Sequence, residues 1–312
     1  MGMRFRFLLI LLLGLTSFAT AGEAVRTSLE DWKDADRNRV VPVKIYVPSV
    51  IKSDASTPVV LFSHGLGGSR EGYGFLASYW AEHGYVVIAM QHPGSDSSVW
   101  RGKDSFVARM MVAASVENYV HRARDVKFAI DHLNRVSRSR DHVLAGKIDL
   151  KKIALGGHSF GAYTALAIAG QVAMLGTREV SFLDPRVSCV IAMSPSPPPK
   201  EQLETAFAKI GMPVYYLTGT QDRVAIQPIE PAERKIPFEK TTAAEQYLLV
   251  LNNADHMTFS GRGMMAKRFA PTIQQSTTAF LDAYLKKDDK AKSWLRDSFK
   301  LELKETGTFD WK

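Results

Sequence analysis

The sequence predicts an α/β fold with a mostly parallel central sheet and helices on both faces. Short apolar segments rich in β-branched residues, such as 58–65 and 85–90, alternate with segments of helical period, such as 72–84 and 115–136. Near-continuous apolar strands separated by helices are typical of parallel sheets covered on both sides. With 312 residues, 46% of them hydrophobic, the chain is long enough to bury a large core.

The remaining elements follow the same alternation along the chain. A first strand is predicted at 42–48. After the long helix at 115–136, strands and helices are predicted in the order strand 152–157, helix 161–175, strands 188–194, 213–219 and 245–253, and helix 272–287. No internal repeat or linker divides the sequence, so a single domain over 22–312 is expected.

The first 21 residues have the layout of a secretory signal peptide. Arg4 and Arg6 precede an apolar run of about a dozen residues, shorter than the roughly 20 residues that span a bilayer, and small residues close the segment at Ala19 and Ala21. We therefore expect cleavage after Ala21, export to the periplasm or the medium, and no stable membrane anchor in the mature chain. The single cysteine, Cys189, rules out an intramolecular disulfide and is expected to be a small buried apolar residue.

The charge of the chain does not indicate a nucleic-acid partner. The formal net charge of +8 becomes +6 when Arg4 and Arg6 leave with the leader. The basic clusters at 135–140 and 286–292 lack interleaved aromatic residues and are expected to be solvated surface. Neither an H-E-x-x-H motif nor a cysteine-histidine cluster is present, so neither a metal nor a cofactor is expected.

The segment "GGHSFGAYTAL" places Ser159 in a G-x-S-x-G motif between a predicted strand and a predicted helix. In a sharp strand-to-helix turn, flanking glycines allow close backbone approach, and the serine hydroxyl is lifted out of the sheet. A lone G-x-S-x-G arises often by chance. Its position between strand and helix makes Ser159 a candidate nucleophile that needs a base and an acid.

Candidate partners follow Ser159 in the chain. Sites of this kind have the chain order serine, acid, histidine, and His256 is the only one of the eight histidines that follows Ser159. Asp222 comes directly after a predicted strand and is the favoured acid. The rivals weighed against it are Asp184, which precedes its strand, Asp255, which adjoins the histidine, and two glutamates, Glu230 and Glu233.

A glycine-rich loop follows the early strand in "FSHGLGGSREGYG". Acyl transfer needs backbone donors for the developing oxyanion, and such a loop supplies one of them. The predicted pair is the N–H of Leu66 and the N–H of Phe160, the residue after the nucleophile. His64 is expected to brace this loop rather than to act as a base.

These passages, together with "NNADHMTFSG", resemble the α/β-hydrolase fold over most of residues 34–261. The resemblance is to the branch of platelet-activating-factor acetylhydrolase-like, chlorophyllase-like and polyester-hydrolase-like serine esterases, related to dienelactone hydrolases. Two departures are visible. The strand after the nucleophile ends in Ser194-Pro195-Ser196 without a carboxylate, where the mammalian-type acetylhydrolases carry their acid. The nucleophile position holds Ser159, where dienelactone hydrolases use cysteine.

The triad candidates and the resemblance together predict a serine hydrolase that cleaves carboxylic esters through an acyl-enzyme, and the leader predicts that it is exported. Its partner would be a small or lipid-like ester of short-to-medium acyl length. A serine peptidase or amidase on the same fold is the alternative, and a non-catalytic binding protein is a further one.

The segment 95–115 follows a predicted strand at the edge of the sheet where ligands bind in open α/β folds. Its apolar side chains Trp100, Phe106, Met110 and Met111 form a possible substrate pocket. Alternatively they anchor the next helix to the core. Because the insertion is short, we expect an open site without a long lid and no large activation at an oil–water interface.

Overall fold

The computed structural model describes residues 25–51, 54, 56–224, 229–243 and 245–312. The predicted signal peptide, 1–21, lies outside the described residues. Eleven strands are assigned in the described part of the chain. They are β1 Val25–Asp34, β2 Arg39–Pro48, β3 Thr57–Ser63, β4 Val86–Met90, β5 Ile148–His158, β6 Val172–Leu175, β7 Arg178–Ser181, β8 Val187–Met193, β9 Val214–Gln221, β10 Gln246–Asp255 and β11 Gly307–Trp311.

Nine of these strands form one sheet in the order β1-β2-β4-β3-β5-β8-β9-β10-β11. The inner strands from β4 to β10 pair in parallel, whereas β1, β2 and β11 are joined to it by antiparallel pairs. The predicted mostly parallel sheet is confirmed. Because parallel strands end at the same edge, the loops that follow β3, β5, β8, β9 and β10 converge there.

Helices cover both faces of the sheet, as predicted. The α-helices of the described residues are α1 Gly74–Glu82, α2 Phe106–Ala113, α3 Val116–Val136, α4 Phe160–Ala169, α5 Leu203–Ala206, α6 Ile236–Lys240, α7 Ala266–Leu281, α8 Asp289–Ser293 and α9 Phe299–Leu303. None of the helices in the described ranges has the length and apolarity needed to cross a membrane.

The core is divided into two layers by the sheet. Successive residues of β3 point to opposite faces, so that Val59 and Leu61 join the layer under α3 and α4, while Val60 and Phe62 join the layer under α1 and α7. Every residue of β3 is buried. Burial on both faces explains why the inner strands are continuously apolar in sequence rather than alternating.

The predicted helix 161–175 is wrong in its second half. Helix α4 ends at Ala169, and Gly170 follows with φ 115°, a backbone conformation that favours glycine. A Cβ on Gly170 would also lie 2.5 Å from the Lys209 carbonyl oxygen. The apolar residues after it form β6, which pairs with β7 as a separate hairpin. A short apolar run does not distinguish strand from helix by periodicity, which explains the error.

The edge strands β1 and β11 were not among the predicted elements. Strand β1, "VRTSLEDWKD", carries many polar residues and is mostly exposed or half-buried along its length. An edge strand pairs on one side only and tolerates charged side chains, so its apolar pattern is weak.

Candidate active site

Ser159 lies in the sharp turn between β5 and α4. Its dihedral angles are φ 56° and ψ −116°, a strained conformation for a residue with a side chain, and its N–H donates to the Met193 carbonyl of β8 at 2.9 Å. Glycine is required on both sides. A Cβ on Gly157 would lie 2.1 Å from the Gly161 carbonyl oxygen, and one on Gly161 would lie 1.9 Å from the Ser63 carbonyl oxygen. The motif therefore forms the predicted strand–turn–helix.

Asp222 and His256 are hydrogen-bonded to each other. Asp222 follows β9 and is fully buried, and His256 follows β10. The Asp222 Oδ1 atom lies 2.7 Å from His256 Nδ1, and Oδ2 accepts a hydrogen bond from Thr218 Oγ1 at 2.9 Å. An ionised carboxylate accepts only, so Nδ1 carries the ring proton and Nε2 is left as a base. We call Ser159, His256 and Asp222 the candidate triad.

The charge of Asp222 is maintained by its surroundings. Burial alone would raise the pKa of its carboxyl, but the hydrogen bond from His256 and the positive charge of Arg234 outweigh it and lower that pKa. The Arg234 Nε atom lies 3.0 Å from Asp222 Oδ1, and its Nη1 donates to the Ser194 carbonyl and to Ser196 Oγ, both at 3.0 Å. Arg234 thus ties the loop after β8 to the acid. Nothing in its sequence position signals this role.

A chain of hydrogen bonds connects the turn to the backbone of His256. His158 Nε2 donates to the His256 carbonyl at 3.0 Å, and the two imidazole rings lie 4.6 Å apart. Burial and the neighbouring His256 keep the pKa of the His158 imidazole well below its ordinary value, so the ring is neutral. With its one proton on Nε2, Nδ1 accepts from the Tyr73 hydroxyl at 2.8 Å. The Tyr73 oxygen in turn accepts from the Gly65 N–H at 3.1 Å. Sequence reasoning missed His158 and Tyr73, although His158 stands inside the G-x-S-x-G motif.

The loop after β3 brings Leu66 to the cavity beside Ser159 and Phe160. The Gly67 N–H donates to the Ser95 carbonyl at 2.9 Å and the Gly68 N–H to the Gly65 carbonyl at 3.0 Å, which fixes the backbone around Leu66. As the first residue of α4, Phe160 has an N–H without an acceptor inside the helix. The two predicted donors thus belong to residues that line the same cavity as the candidate nucleophile.

His64 braces this loop, as expected. Its Nδ1 donates to the Gly65 carbonyl at 2.6 Å, and its Nε2 accepts from the His92 N–H at 3.1 Å. Burial and the neighbouring Arg122 guanidinium keep the pKa of the His64 imidazole well below its ordinary value. His64 is therefore a neutral, fully engaged residue.

The rival acids are engaged elsewhere. Asp184 binds Arg186, with Oδ2 2.6 Å from Nη2. Asp255 accepts from the Thr258 N–H at 2.8 Å and caps the short helical turn that begins with the histidine. Glu230 and Glu233 form a capping box with each other's backbone. Cys189 is fully buried, and burial raises the pKa of its thiol, consistent with its predicted apolar role.

A cavity of about 760 Å³ opens beside Ser159. Volumes of this size are typical of small-molecule sites. Among the described residues that line it there is no Asp, Glu, Lys, Arg or His. Its polar lining consists of Ser115, Tyr119, Ser159, Tyr163, Gln171, Ser196 and Gln202, and the rest is apolar.

The predicted pocket residues divide into two pairs. Met110 and Met111 line the cavity, whereas Trp100 and Phe106 are not among the described lining residues. The Trp100 ring stacks on Phe106 with centroids 5.5 Å apart, and its Nε1 donates to the Gly67 carbonyl at 2.7 Å. The prediction that Trp100 and Phe106 line the pocket is therefore wrong.

The helical period explains the correction. Helix α2 turns Val107, Met110, Met111 and Ala114 toward the cavity, a spacing of i, i+3, i+4 and i+7. Phe106 is one residue out of this register. The described part of the chain contains no group of three or more His, Cys, Asp or Glu side chains placed to hold a metal ion.

A family model described as the alpha/beta hydrolase family matches residues 60–271. The chain is similar to proteins named platelet-activating factor acetylhydrolase. It is 26% identical over 199 residues to the one of Canis lupus familiaris, with 55% of this chain and 42% of that protein covered. It is 24% identical over 295 residues to that of Cavia porcellus, with 81% and 63% covered.

A third relative, platelet-activating factor acetylhydrolase of Bos taurus, is 28% identical over 144 residues, with 37% of this chain and 32% of that protein covered. The alignments thus span less than two thirds of the length of these relatives. The family match covers more than half of the chain and includes most of the parallel inner strands, the turn at Ser159 and the histidine loop. The chain belongs to the alpha/beta hydrolase family.

Proposed function

We propose that the chain is a serine esterase that cleaves carboxylic esters through an acyl-enzyme. The observation that carries the proposal is the strained Ser159 at a cavity of low polarity, in a turn whose preceding residue, His158, contacts His256. The Nδ1 atom of His256 is held 2.7 Å from the buried carboxylate of Asp222. A hydroxyl becomes a competent nucleophile when an oriented imidazole takes its proton. The family match and the named acetylhydrolase relatives support the reaction class.

The proposed reaction has two halves. His256 Nε2 takes the proton of Ser159 Oγ while the oxygen attacks the ester carbonyl carbon, and the N–H groups of Leu66 and Phe160 receive the oxyanion. Each such donor stabilises the transition state by about 3 kcal/mol. Collapse breaks the bond to the alcohol, which leaves with the proton from His256. Water, deprotonated by His256, then attacks the carbonyl carbon of the acyl-enzyme. The bond from that carbon to Ser159 Oγ breaks, His256 returns its proton to Oγ, and the carboxylic acid leaves.

The lining of the cavity favours a neutral ester. No described lining residue is charged, so a charged substrate would lose its hydration without gaining an ion pair. An amidase that selects an amine would need a carboxylate in this lining. We therefore propose a short-to-medium acyl ester of a small or lipid-like alcohol, and no observation favours the peptidase alternative.

A series of p-nitrophenyl esters from acetate to palmitate tests this function. We expect the largest kcat/KM between acetate and octanoate, hydrolysis of the matching p-nitroanilides at least about a hundredfold slower, and none above background with Ser159→Ala. Wild-type protein that cleaves no ester in the series would contradict the proposal. A maximum at palmitate would replace the proposed chain length by a longer one.

Two substitutions on the same helix sharpen the assignment of the cavity. Val107 lines it, whereas Val112 is exposed and is not among the described lining residues. We expect Val107→Trp to reduce kcat/KM for octanoate more than for acetate, because the indole fills the space taken by the longer chain. Val112→Trp is the matched control and should leave the ratio unchanged. If the ratio of kcat/KM for octanoate to that for acetate were the same in both variants, the acyl chain would have to bind somewhere other than beside Val107.

We also propose that the protein is exported and loses residues 1–21. The leader pattern in the sequence supports this proposal. Intact-mass measurement of the protein from the periplasm or medium of an expressing bacterium should give a chain beginning at Gly22. A mature chain that retains Met1 to Ala21 would contradict it.

A further inference from the structure

Arg122 in α3 is a fully buried arginine that the reaction scheme does not use. Its Nε donates to Ser95 Oγ at 2.8 Å, and its Nη1 donates to the His64 carbonyl at 2.8 Å and to Ser63 Oγ at 3.3 Å. Its Nη2 lies 3.2 Å from His64 Nδ1. No carboxylate of the described residues is within ion-pair distance of the guanidinium, so its hydrogen bonds go to neutral groups.

These contacts enclose Leu66 from both sides. The His64 carbonyl, held by Nη1, lies two residues before Leu66. Ser95, held by Nε, uses its own carbonyl to bind the N–H of Gly67, the residue directly after Leu66. One side chain therefore restrains the backbone on each side of the predicted oxyanion donor.

The same guanidinium contacts the second donor residue. Its Cζ lies 4.4 Å from the centroid of the Phe160 ring, a cation–π distance. Arg122 is thus the point at which the loop after β3 and the first residue of α4 meet.

Burying this charge is costly. A buried ion without a paired ion loses hydration that neutral hydrogen bonds only partly replace. Burial lowers the pKa of Arg122 to about 9, although Asp125 opposes the effect, and the side chain stays charged at neutral pH. An apolar residue would pack there at lower cost, so the position of the arginine calls for a role in the geometry of the site.

We propose that Arg122 is a positioning residue of the oxyanion hole, which sets the distance between the N–H groups of Leu66 and Phe160. This inference rests on the proposed esterase function. It places Arg122 outside the reacting atoms and makes its effect specific to the transition state, because only there does negative charge develop between the two donors.

Three variants test the inference. Arg122→Lys keeps the charge but cannot hold Ser95 and His64 together, and Ser95→Ala removes one acceptor with little change in volume. Thr277→Val is the matched control, because it removes a buried hydrogen bond from Trp80 Nε1 on the opposite face of the sheet. For each, kcat and KM for p-nitrophenyl butyrate, the inhibition constant of an alkyl trifluoromethyl ketone, and the melting temperature are measured. The ketone forms a hemiketal oxyanion on the serine and reports on the hole directly.

We expect Arg122→Lys to lower kcat by about a hundredfold while KM stays within about threefold of the wild-type value. The affinity for the ketone should fall by about the same factor as kcat. Ser95→Ala should lower kcat and ketone affinity by up to about tenfold. Thr277→Val should lower the melting temperature and leave both kcat and the affinity for the ketone unchanged. The low-pH limb of kcat/KM should keep its wild-type midpoint in all three, since the base is untouched.

The outcomes separate the two proposals. Wild-type protein that cleaves no ester overturns the proposed function and this inference with it. An active wild type with unchanged kcat and ketone affinity in Arg122→Lys overturns only the role of Arg122. If that variant does not fold, Ser95→Ala decides: unchanged kcat and ketone affinity overturn the inference, and a parallel loss of both supports it.

Discussion

Two groups of a serine, a histidine and an aspartate lie within this fold, and they differ in burial, in backbone conformation and in access to a cavity. Besides the candidate triad, Ser63, His92 and Asp125 form what we call the buried triad. In it, His92 Nε2 lies 2.9 Å from Ser63 Oγ, and His92 Nδ1 lies 3.0 Å from Asp125 Oδ2. Judged by these distances alone, the buried triad has the arrangement of a nucleophile, a base and an orienting acid.

Its surroundings exclude that role. All three side chains of the buried triad are fully buried, and Ser63 is the last residue of a regular strand rather than of a strained turn. Burial and the Arg122 charge lower the pKa of His92 to about 4, so its imidazole is a weak base at neutral pH. Arg37 and Arg39 each place a nitrogen 2.8 Å from Asp125 Oδ1. The buried triad holds the end of β3 in place.

The comparison shows which features distinguish the two sites. The candidate triad has a serine in a positive-φ turn, a cavity of about 760 Å³ beside it, and an unbonded helix N-terminus next to it. Access, backbone conformation and donors for the oxyanion therefore matter as much as the hydrogen bonds between the three side chains.

The largest expected contrast is between the two serines. Ser159→Ala should reduce kcat for p-nitrophenyl butyrate by about a millionfold, because removing the nucleophile of such a triad has that effect. Ser63→Ala should reduce it by about tenfold at most, the loss of a buried hydrogen bond behind the loop. Steady-state kinetics on purified variants measure both. A Ser159→Ala protein with a tenth of wild-type activity would contradict the account.

The acids give the next contrast. Asp222→Asn should reduce kcat by about ten-thousandfold, because an amide holds His256 in the wrong tautomer. Asp184→Asn and Asp255→Asn are matched controls at the rival aspartates and should retain at least about a tenth of wild-type kcat. If Asp255→Asn lost more activity than Asp222→Asn, the acid would have to be reassigned.

A smaller effect concerns stability against pH. In the unfolded chain His92 takes up a proton near pH 6.5, whereas in the folded protein it does so only near pH 4. Between these values the unfolded state binds more protons, so the free energy of unfolding falls as the pH is lowered from about 6.5 to 4. One histidine contributes a slope of up to about 1.4 kcal/mol per pH unit.

Urea unfolding at several pH values measures that slope. His92→Gln should reduce the slope. Thr277→Val removes no group that titrates in this range, so it should lower the free energy of unfolding at every pH and leave the slope unchanged. An unchanged slope in His92→Gln would show that the buried triad does not titrate as described.

The sequence predicted the fold wherever one local pattern dominated. The inner strands and the turn at Ser159 were found because burial on both faces and steric demand for glycine leave direct marks in the chain. The helix boundary at Ala169 was not found, because a short apolar run is compatible with either a helix or a strand. The edge strand β1 was not found, because edge strands carry polar side chains.

The side chains around the candidate triad were also only partly predicted from the sequence. Asp222 and His256 followed from their positions after strands and from chain order. Arg122, Arg234 and Tyr73 did not, because they reach the site from helices and loops far along the chain, with Tyr73 and His158 separated by 85 residues. Only the packed tertiary structure brings such side chains together, and their local sequence resembles that of any amphipathic helix or loop.

The most direct test of the central claim is to identify which serine reacts. Wild-type protein is treated with a fluorophosphonate probe, its residual ester hydrolysis is followed, and the modified peptide is mapped by mass spectrometry. The account predicts that activity is lost in step with one phosphonyl group per chain, attached to Ser159, while Ser63 stays unmodified. Full inhibition with the label on any other residue, or full activity after stoichiometric labelling of Ser159, would contradict it.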